Sequence, residues 1–189
     1  MLILKKKDEK LIMSIYYERL FKEVIEASES KEWAKAVQEW EVYDCDEDET
    51  CSTNCICGKE GLRYLFTIYN EINGNKLFPI GSSCIKKFGV SELYENASLW
   101  EKEFELYHAI EKNKFITLKD GLFSRKLLYK LYQEGAFKPT PFNGNNPYND
   151  YKFMLDMFNK REPTDKQMKR CTAIILNSIK PYIKQKLKK

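Results

Sequence analysis

The chain has 189 residues, 43% of them hydrophobic and 14% aromatic, which is enough for one ordinary domain or two small ones and argues against disorder. No apolar run approaches the roughly 18–20 residues of a membrane span, and the first ten residues lack the apolar segment of a secretory signal, so we expect a cytoplasmic protein without a membrane partner. The net charge is +4, but residues 160–189 alone sum to +8, so the rest of the chain is slightly acidic.

The first predicted elements are two helices. Apolar residues recur at helical spacing over residues 8–28. A shorter helix is predicted from Trp33 to Trp40, with Ser30 as its N-cap. An acidic loop, Asp44–Glu49, is expected to follow.

A β-hairpin is predicted next. Aromatic and β-branched residues in 62–70 favour a strand. The Asn-Gly-Asn sequence at 73–75 favours a type I′ turn, because Asn and Gly tolerate positive φ angles. Pro79 places the returning strand at an edge or at a strand end, since proline cannot donate to a ladder.

The rest of the chain is predicted to be helical. The starts of these helices are marked by serines and by a Thr-x-x-Gln capping box, and their ends are marked by glycines. The predicted segments are a short helix from Ser82 or Ser83 to Gly89, a long helix from Ser91 to about Lys114, a helix from Ser124 to Gly135, a helix over 151–161, and a last helix that starts at Thr164 with Gln167 and is bent or ended by Pro181.

These elements predict an α+β fold that is mostly helical, with a central treble-clef-like zinc β-hairpin between helical segments. The expected domains are N-terminal helices over residues 1–43, a zinc-binding hairpin module over 44–90, and a C-terminal helical region over 91–189.

Cysteines gather around the hairpin. Cys55 and Cys57 precede it, and Cys84 follows it at a predicted helix start, where exposed amides favour a thiolate. In a reducing compartment such thiols are more often metal ligands than disulfides. Four sulfur ligands around Zn²⁺ would be closed and tetrahedral. The fourth ligand is predicted to be Cys51, with Cys45 as the alternative.

This stretch resembles a family of small, largely uncharacterised proteins of bacteriophages and mobile elements that share the pattern CxCG…GSxCIxKF. The resemblance covers about 34 of the 189 residues and implies a zinc-finger-like module that acts on a host protein or a nucleic acid. The matching positions are Cys55, Cys57, Gly58, Ile68, Asn70, Gly74, Gly81, Ser82, Cys84, Ile85, Lys87 and Phe88.

The residue content argues against an enzyme. His108 is the single histidine, so sites with several histidine ligands are excluded, and it is expected to be a surface or packing residue. No phosphate-binding glycine loop occurs. Cys171 lies on the apolar face of the last helix and is expected to be a core thiol.

Two functions follow. In the first, the zinc hairpin is a rigid platform, and an acidic segment formed by Asp46, Glu47, Asp48 and Glu49 docks on a basic surface of a host protein. Such a partner would be a nucleic-acid enzyme, a transcription factor or a defence nuclease such as a CRISPR effector.

The alternative is nucleic-acid binding by cations and stacking aromatics. The acidic segment beside the finger would repel phosphate and therefore favours the first function. The cations of the alternative are Lys59, Arg63, Lys76, Lys86, Lys87, Lys184, Lys186 and Lys188.

Overall fold

A computed structural model describes the backbone of residues 2–188 and the side chains of residues 14–188. The fold is mixed, 55% helical with one three-stranded antiparallel sheet and a cysteine cluster. The chain divides into two compact units, Met1–Ser98 and Leu99–Lys189. Of the helices that the structure describes, none has the length and apolar character that crossing a bilayer requires.

The N-terminal unit contains the predicted first helix, α1, which spans Leu2–Ala27 and therefore begins six residues before the predicted start. The helix predicted over Trp33–Trp40 is wrong in its extent. It consists of one turn, α2 (Trp33–Ala36), and a 3₁₀ turn (Val37–Glu39), because Trp40 already pairs with Asn70 in the sheet. Its N-cap is Glu32 and not Ser30, whose hydroxyl instead accepts a hydrogen bond from the Glu32 amide.

The sheet contains strands β1 (Trp40–Glu47), β2 (Tyr64–Asn70) and β3 (Lys76–Ile80) in the order β1-β2-β3. The predicted acidic loop is wrong, because its first four residues, Asp44–Glu47, belong to strand β1, where Asp46 pairs with Leu65 and Glu47 with Tyr64. Acidic residues have low strand propensity, but pairing with a neighbouring strand overrides that preference. The boundary that was predicted between the N-terminal helices and the hairpin module, at residues 43 and 44, falls inside β1.

The hydrophobic core of this unit lies on one face of the sheet. Phe66, Ile68 and Ile80 project from β2 and β3 and are fully buried. Leu20 and Val24, one turn apart on α1, are also fully buried, and α1 contacts β3. The helix therefore covers the sheet with its apolar stripe.

The connection between β2 and β3 is five residues long and not the predicted two-residue turn. Within this connection, residues 71–75, Gly74 is the one residue with a positive φ angle, +78°. The Asn70 side chain accepts hydrogen bonds from the amides of Ile72 and Asn73, which fixes the wider loop. Pro79 lies in β3, an edge strand, as predicted.

After β3 the chain enters helix α3, Ser82–Ile85, which continues as a 3₁₀ turn to Phe88. Gly89 ends it in the left-handed conformation, as predicted, with φ +71°. The N-cap is Gly81 and neither predicted serine, and no side chain caps this end.

The remaining elements are helical. Ser124 caps its helix by accepting from the Leu127 amide, and Gly135 follows the end with φ +80°, as predicted. The bounds are α4 Ser91–Glu111, α5 Arg125–Gln133, a 3₁₀ turn Pro141–Asn143, α6 Pro147–Phe158, α7 Asp165–Ile174, a π-helical segment Ile175–Ile179, and α8 Lys180–Leu187.

The last helix starts with the predicted capping box of Thr164 and Gln167. Pro181 does not end it, and α8 runs on to Leu187. The π-helical segment lies directly before Pro181, where a wider turn accommodates a residue that lacks an amide donor.

Candidate metal centre

Three buried cysteines meet at the end of the sheet. The Sγ atom of Cys84 lies 3.7 Å from that of Cys55 and 3.4 Å from that of Cys57. All three sulfur atoms lie within 4.8 Å of one another. Each residue is at most 4% exposed. The structure therefore assembles a cluster from residues up to 29 positions apart.

A tight turn brings Cys55 and Cys57 together. The Gly58 amide donates to the Cys55 carbonyl at 2.7 Å, and the Cys55 amide donates to the Lys59 carbonyl at 2.8 Å. Gly58 has φ +88°, a conformation that residues with a Cβ rarely adopt. The amide of Ile56 donates to the Pro79 carbonyl, which ties the turn to β3.

Backbone amides converge on the sulfur atoms. The amides of Cys57 and Gly81 donate to Cys55 Sγ, and the Lys59 amide donates to Cys57 Sγ. The hydrogen bond from the Cys84 thiol, together with these amides, lowers the pKa of Cys55. The pKa of Cys84 is raised, because its thiol donates to Cys55 and is desolvated. Burial also raises the pKa of Cys57. Cys55 is therefore the one thiol of the three whose pKa is lowered.

The spacing of the three sulfur atoms fits a metal–thiolate centre. A tetrahedral ion with metal–sulfur bonds of about 2.3 Å holds its sulfur ligands about 3.8 Å apart. The separations of 3.4 and 3.7 Å are close to that edge length. Cys55, Cys57 and Cys84 could therefore hold a metal ion.

The two candidates for a fourth ligand lie outside this cluster. Cys51 is exposed, with φ +52°, and is separated from Cys55 by the bridge between Thr53 and Leu62. Cys45 is buried within β1, where its thiol contacts the Asp46 carbonyl at 3.6 Å. Among the side chains of residues 14–188, the sulfur atoms that share the 4.8 Å group are those of Cys55, Cys57 and Cys84.

Arg19 is a neighbour of the cluster that the sequence did not reveal. A Cβ atom on Gly58 would lie 2.5 Å from Arg19 Nη1, so the guanidinium group of α1 packs against the turn between the cysteines. A cation at this place offsets the negative charge that thiolates bring. Only the packing of α1 on the sheet creates this contact, and nothing in the local sequence signals it.

Asp48 organises the turn that follows β1. Its carboxylate accepts hydrogen bonds from the amides and hydroxyls of Thr50, Ser52 and Thr53, at 2.5 to 3.1 Å. The Thr50 hydroxyl is the main cause that holds the pKa of Asp48 far below its usual value. The Asp-x-Thr-x-Ser-Thr spacing is the sequence signal that could have predicted this turn.

The other acidic residues of the predicted docking segment differ in their surroundings. Glu47 accepts a hydrogen bond from Arg63 Nε at 2.8 Å, and its side chain is only 8% exposed. Asp46 is half-buried in β1, and Glu49 is exposed in the turn. The carboxylates of Glu47 and Asp48 are therefore engaged within the unit.

Most of the cations proposed for nucleic-acid binding contact carboxylates or aromatic rings. Lys59 and Lys188 are exposed. The engaged cations are Arg63 with Glu47, Lys76 at 3.7 Å from the Tyr43 ring centre, Lys86 at 5.3 Å from that of Tyr94, Lys87 at 6.0 Å from that of Tyr17, Lys184 with Glu111, and Lys186 with Glu103 and Glu134.

The remaining singled-out residues lie in the C-terminal unit. Cys171 is buried, as predicted for a core thiol, and burial raises its pKa. His108 is half-buried on α4, and its ring lies edge-on to Tyr107 with ring centres 5.7 Å apart.

Comparison with known proteins gives no match, so the function is interpreted from the geometry of the site. The chain matches no protein-family model, and searches of curated proteins and of solved structures find no match.

Proposed function

We propose that Cys55, Cys57 and Cys84 bind Zn²⁺ as a structural centre of a non-enzymatic protein that binds a protein partner. The observation that carries the metal proposal is the cluster of three buried thiols at tetrahedral sulfur spacing. Thiolate ligands favour zinc among the abundant divalent ions. Bound zinc would link the turn that contains Cys55 and Cys57 to the start of α3, which follows β3.

The metal proposal is tested by loading the purified protein with Zn²⁺ or Co²⁺. We expect one ion per chain by mass spectrometry under native conditions, and sulfur-to-cobalt charge-transfer absorption. Cys55→Ser should abolish both signals. Cys171→Ser is the matched control, because it removes a buried thiol outside the cluster. Equal metal binding by the Cys55 and Cys171 variants would refute the site.

The same cobalt spectra address the fourth ligand. Cys51 stays the predicted ligand and Cys45 the alternative, although neither sulfur lies in the group of three. If Cys51 completes the site, Cys51→Ser will weaken the charge-transfer band and Cys45→Ser will not. The reverse result would assign Cys45. An unchanged band in both variants would mean that neither Cys51 nor Cys45 is the fourth donor.

The proposed partner surface is the exposed face of the sheet with its acidic end. Tyr43 is 55% exposed and lies 6.0 Å from Tyr69 between ring centres, and Phe78 is 49% exposed. Aromatic residues of this kind are frequent binding hot spots. Glu41 and Glu49 add exposed carboxylates, which would complement a basic surface on a host protein.

The proposed function also rests on the resemblance to phage and mobile-element proteins, which makes a host protein the expected partner. Nucleic-acid binding is the competing proposal. Its support is weaker, because most of its cations contact carboxylates or rings of the same unit.

The partner proposal is tested by capture from a host lysate, half of which is treated with nuclease. Replacing Asp48 would disturb the turn it organises, so the test variant is Tyr43→Ser combined with Glu49→Lys. We expect one host protein from both halves with the wild type, and a strong loss with this variant. Lys112→Gln, an exposed change elsewhere, should retain the partner. Recovery that disappears after nuclease treatment would support nucleic-acid binding instead.

A further inference from the structure

The C-terminal unit contains a cavity that the proposed function does not use. It has a volume of about 600 Å³, within the range of small-molecule sites. Its floor consists of Leu118, Met157, Cys171 and Ile175, each at most 9% exposed. The other lining residues are Phe115, Thr117, Lys119, Pro163, Asp165, Met168, Lys169 and Thr172.

Both walls of this cavity are held by local hydrogen bonds. On one side, the amide and hydroxyl of Thr117 donate to the Asp120 carboxylate at 2.7 and 2.6 Å. These bonds lower the pKa of Asp120. On the other side, the capping box of Thr164 and Gln167 fixes the start of α7. The cavity is therefore formed in advance of any ligand.

Large apolar side chains border the opening. Phe115 is 75% exposed and Met168 is 48% exposed, although both line the cavity. Their burial by a ligand would remove apolar surface from water, which favours binding. The opening is thus suited to the apolar body of a ligand that continues from the floor to the rim.

Cations surround the same opening. Lys119 and Lys169 line the cavity, with Asp165 as the one carboxylate in its lining. A second cavity of about 410 Å³ shares Leu118, Lys119 and Met157 with the first, and Lys160 and Arg161 line it. In the lining of the first cavity two lysines face one carboxylate, and this positive balance favours an anionic group beside the apolar floor.

We propose that this cavity binds a small amphiphile with an extended apolar body and one anionic head group, such as a long-chain carboxylate. The apolar body lies on Leu118, Met157 and Ile175. The carboxylate lies at the rim beside Lys119 and Lys169. The assignment follows from the apolar floor and the charge of the rim, and it is independent of the metal centre, which belongs to the other unit.

The experiment is a titration of the full chain, loaded with Zn²⁺, with dodecanoate, followed by ¹³C-methyl methionine NMR. We expect saturable binding of one dodecanoate per chain, with shifts of the Met157 and Met168 methyl groups. Met154 is the internal control, because it is fully buried on the same helix as Met157 but does not line the cavity. Shifts of Met154 as large as those of Met157 would overturn the assignment.

Two variants separate the parts of the proposal. Thr172→Trp should fill the cavity and weaken dodecanoate binding by roughly tenfold or more. Lys119→Gln with Lys169→Gln should weaken it about threefold to fivefold, the range of partly exposed ion pairs. Lys112→Gln, outside both cavities, should have no effect. Unchanged affinity in Thr172→Trp would overturn the proposal even if Met157 shifts.

Ligand chemistry supplies the last discrimination. Dodecanol and dodecyltrimethylammonium have the same chain without the negative charge, so we expect both to bind more weakly than dodecanoate. Equal or tighter binding of either one would overturn the anionic head group. Failure of dodecanoate to bind, with shifts of Met157 and Met168 caused instead by a captured host protein, would replace the amphiphile with a protein segment.

Discussion

Among the described side chains, Glu39 in the N-terminal unit and Glu103 in the C-terminal unit are buried glutamates, and they are stabilised by different means. In the N-terminal unit, Glu39 accepts hydrogen bonds from the amides of Glu29 and Ser30, both at 2.8 Å, and from Asn70 Nδ2 at 2.7 Å. In the C-terminal unit, Glu103 is fully buried on α4, and its Oε2 atom accepts from Lys130 and Lys186 at 2.8 Å. Its Oε1 atom has no hydrogen-bond partner among the described residues.

The difference follows from the backbone that each unit offers. Turns and strand ends have amides that no secondary structure uses, and these can be aimed at Glu39 or at the sulfur atoms of Cys55 and Cys57. Within a helix the amides are already bonded to carbonyls, so Glu103 depends on side chains from other helices. Glu39 is therefore held by neutral donors, and Glu103 is held by lysines.

The largest expected effect is the loss of the proposed zinc centre. Cys84→Ser, or removal of zinc by a chelator, should lower the free energy of unfolding of the N-terminal unit by on the order of 5 kcal/mol or more. For a unit of this size that corresponds to a Tm lower by about 20 °C or more. Hydrogen exchange should show lost protection in β2 and β3, with α5 and α6 unchanged.

Cys171→Ser provides the control for that comparison, since it exchanges a buried thiol in the C-terminal unit. Its effect should be about 1–3 kcal/mol, the cost of burying a hydroxyl without a partner. Equal loss of protection in α5 and α6 after zinc removal would contradict a centre that stabilises the N-terminal unit alone.

The second effect concerns the lysine-bound carboxylate. Glu103→Gln removes the fully buried one of the two carboxylates that Lys130 and Lys186 share and leaves them with Glu134, so we expect a loss of about 3 kcal/mol. Chemical denaturation of the variant measures this loss. Glu105→Gln is the matched control on the same helix, because its carboxylate is 53% exposed. Similar stabilities of the two variants would refute the network.

The third and smallest effect concerns Glu39. Burial raises the pKa of Glu39, but hydrogen bonds from Asn70, Ser30 and Glu29 outweigh it, so the pKa lies below its usual 4.5. Because the folded-state pKa is lowered, the stabilisation is present above about pH 4.5 and is lost as the pH falls through the folded value. Glu39→Gln should cost about 1–3 kcal/mol at pH 7.

The pH dependence distinguishes this carboxylate from a neutral acceptor. The difference in Tm between wild type and Glu39→Gln should shrink as the pH is lowered from 5 to 3. Glu41→Gln, an exposed change two residues away, should give a small difference at every pH. A Glu39→Gln difference that does not change with pH would show that the carboxylate charge plays no part.

Local signals in the sequence were sufficient for many of the elements. The Thr164–Gln167 capping box, the serine cap at Ser124 and the left-handed glycines at Gly89 and Gly135 were all predicted, because each acts within a few residues. The same signals were insufficient for β1. Its acidic residues indicated a loop, and only the pairing of β1 with β2 makes them a strand.

The sequence by itself determined the hairpin, its flanking cysteines and the helical remainder, since spacing, capping and turn preference are properties of neighbouring residues. The tertiary structure decided that three of those thiols lie within 4.8 Å of one another and that the exposed Cys51 is not in this group. It also decided that Lys186 is held by Glu103 and Glu134. These outcomes depend on contacts between residues far apart in the chain, and such contacts are set by packing, which no local pattern encodes.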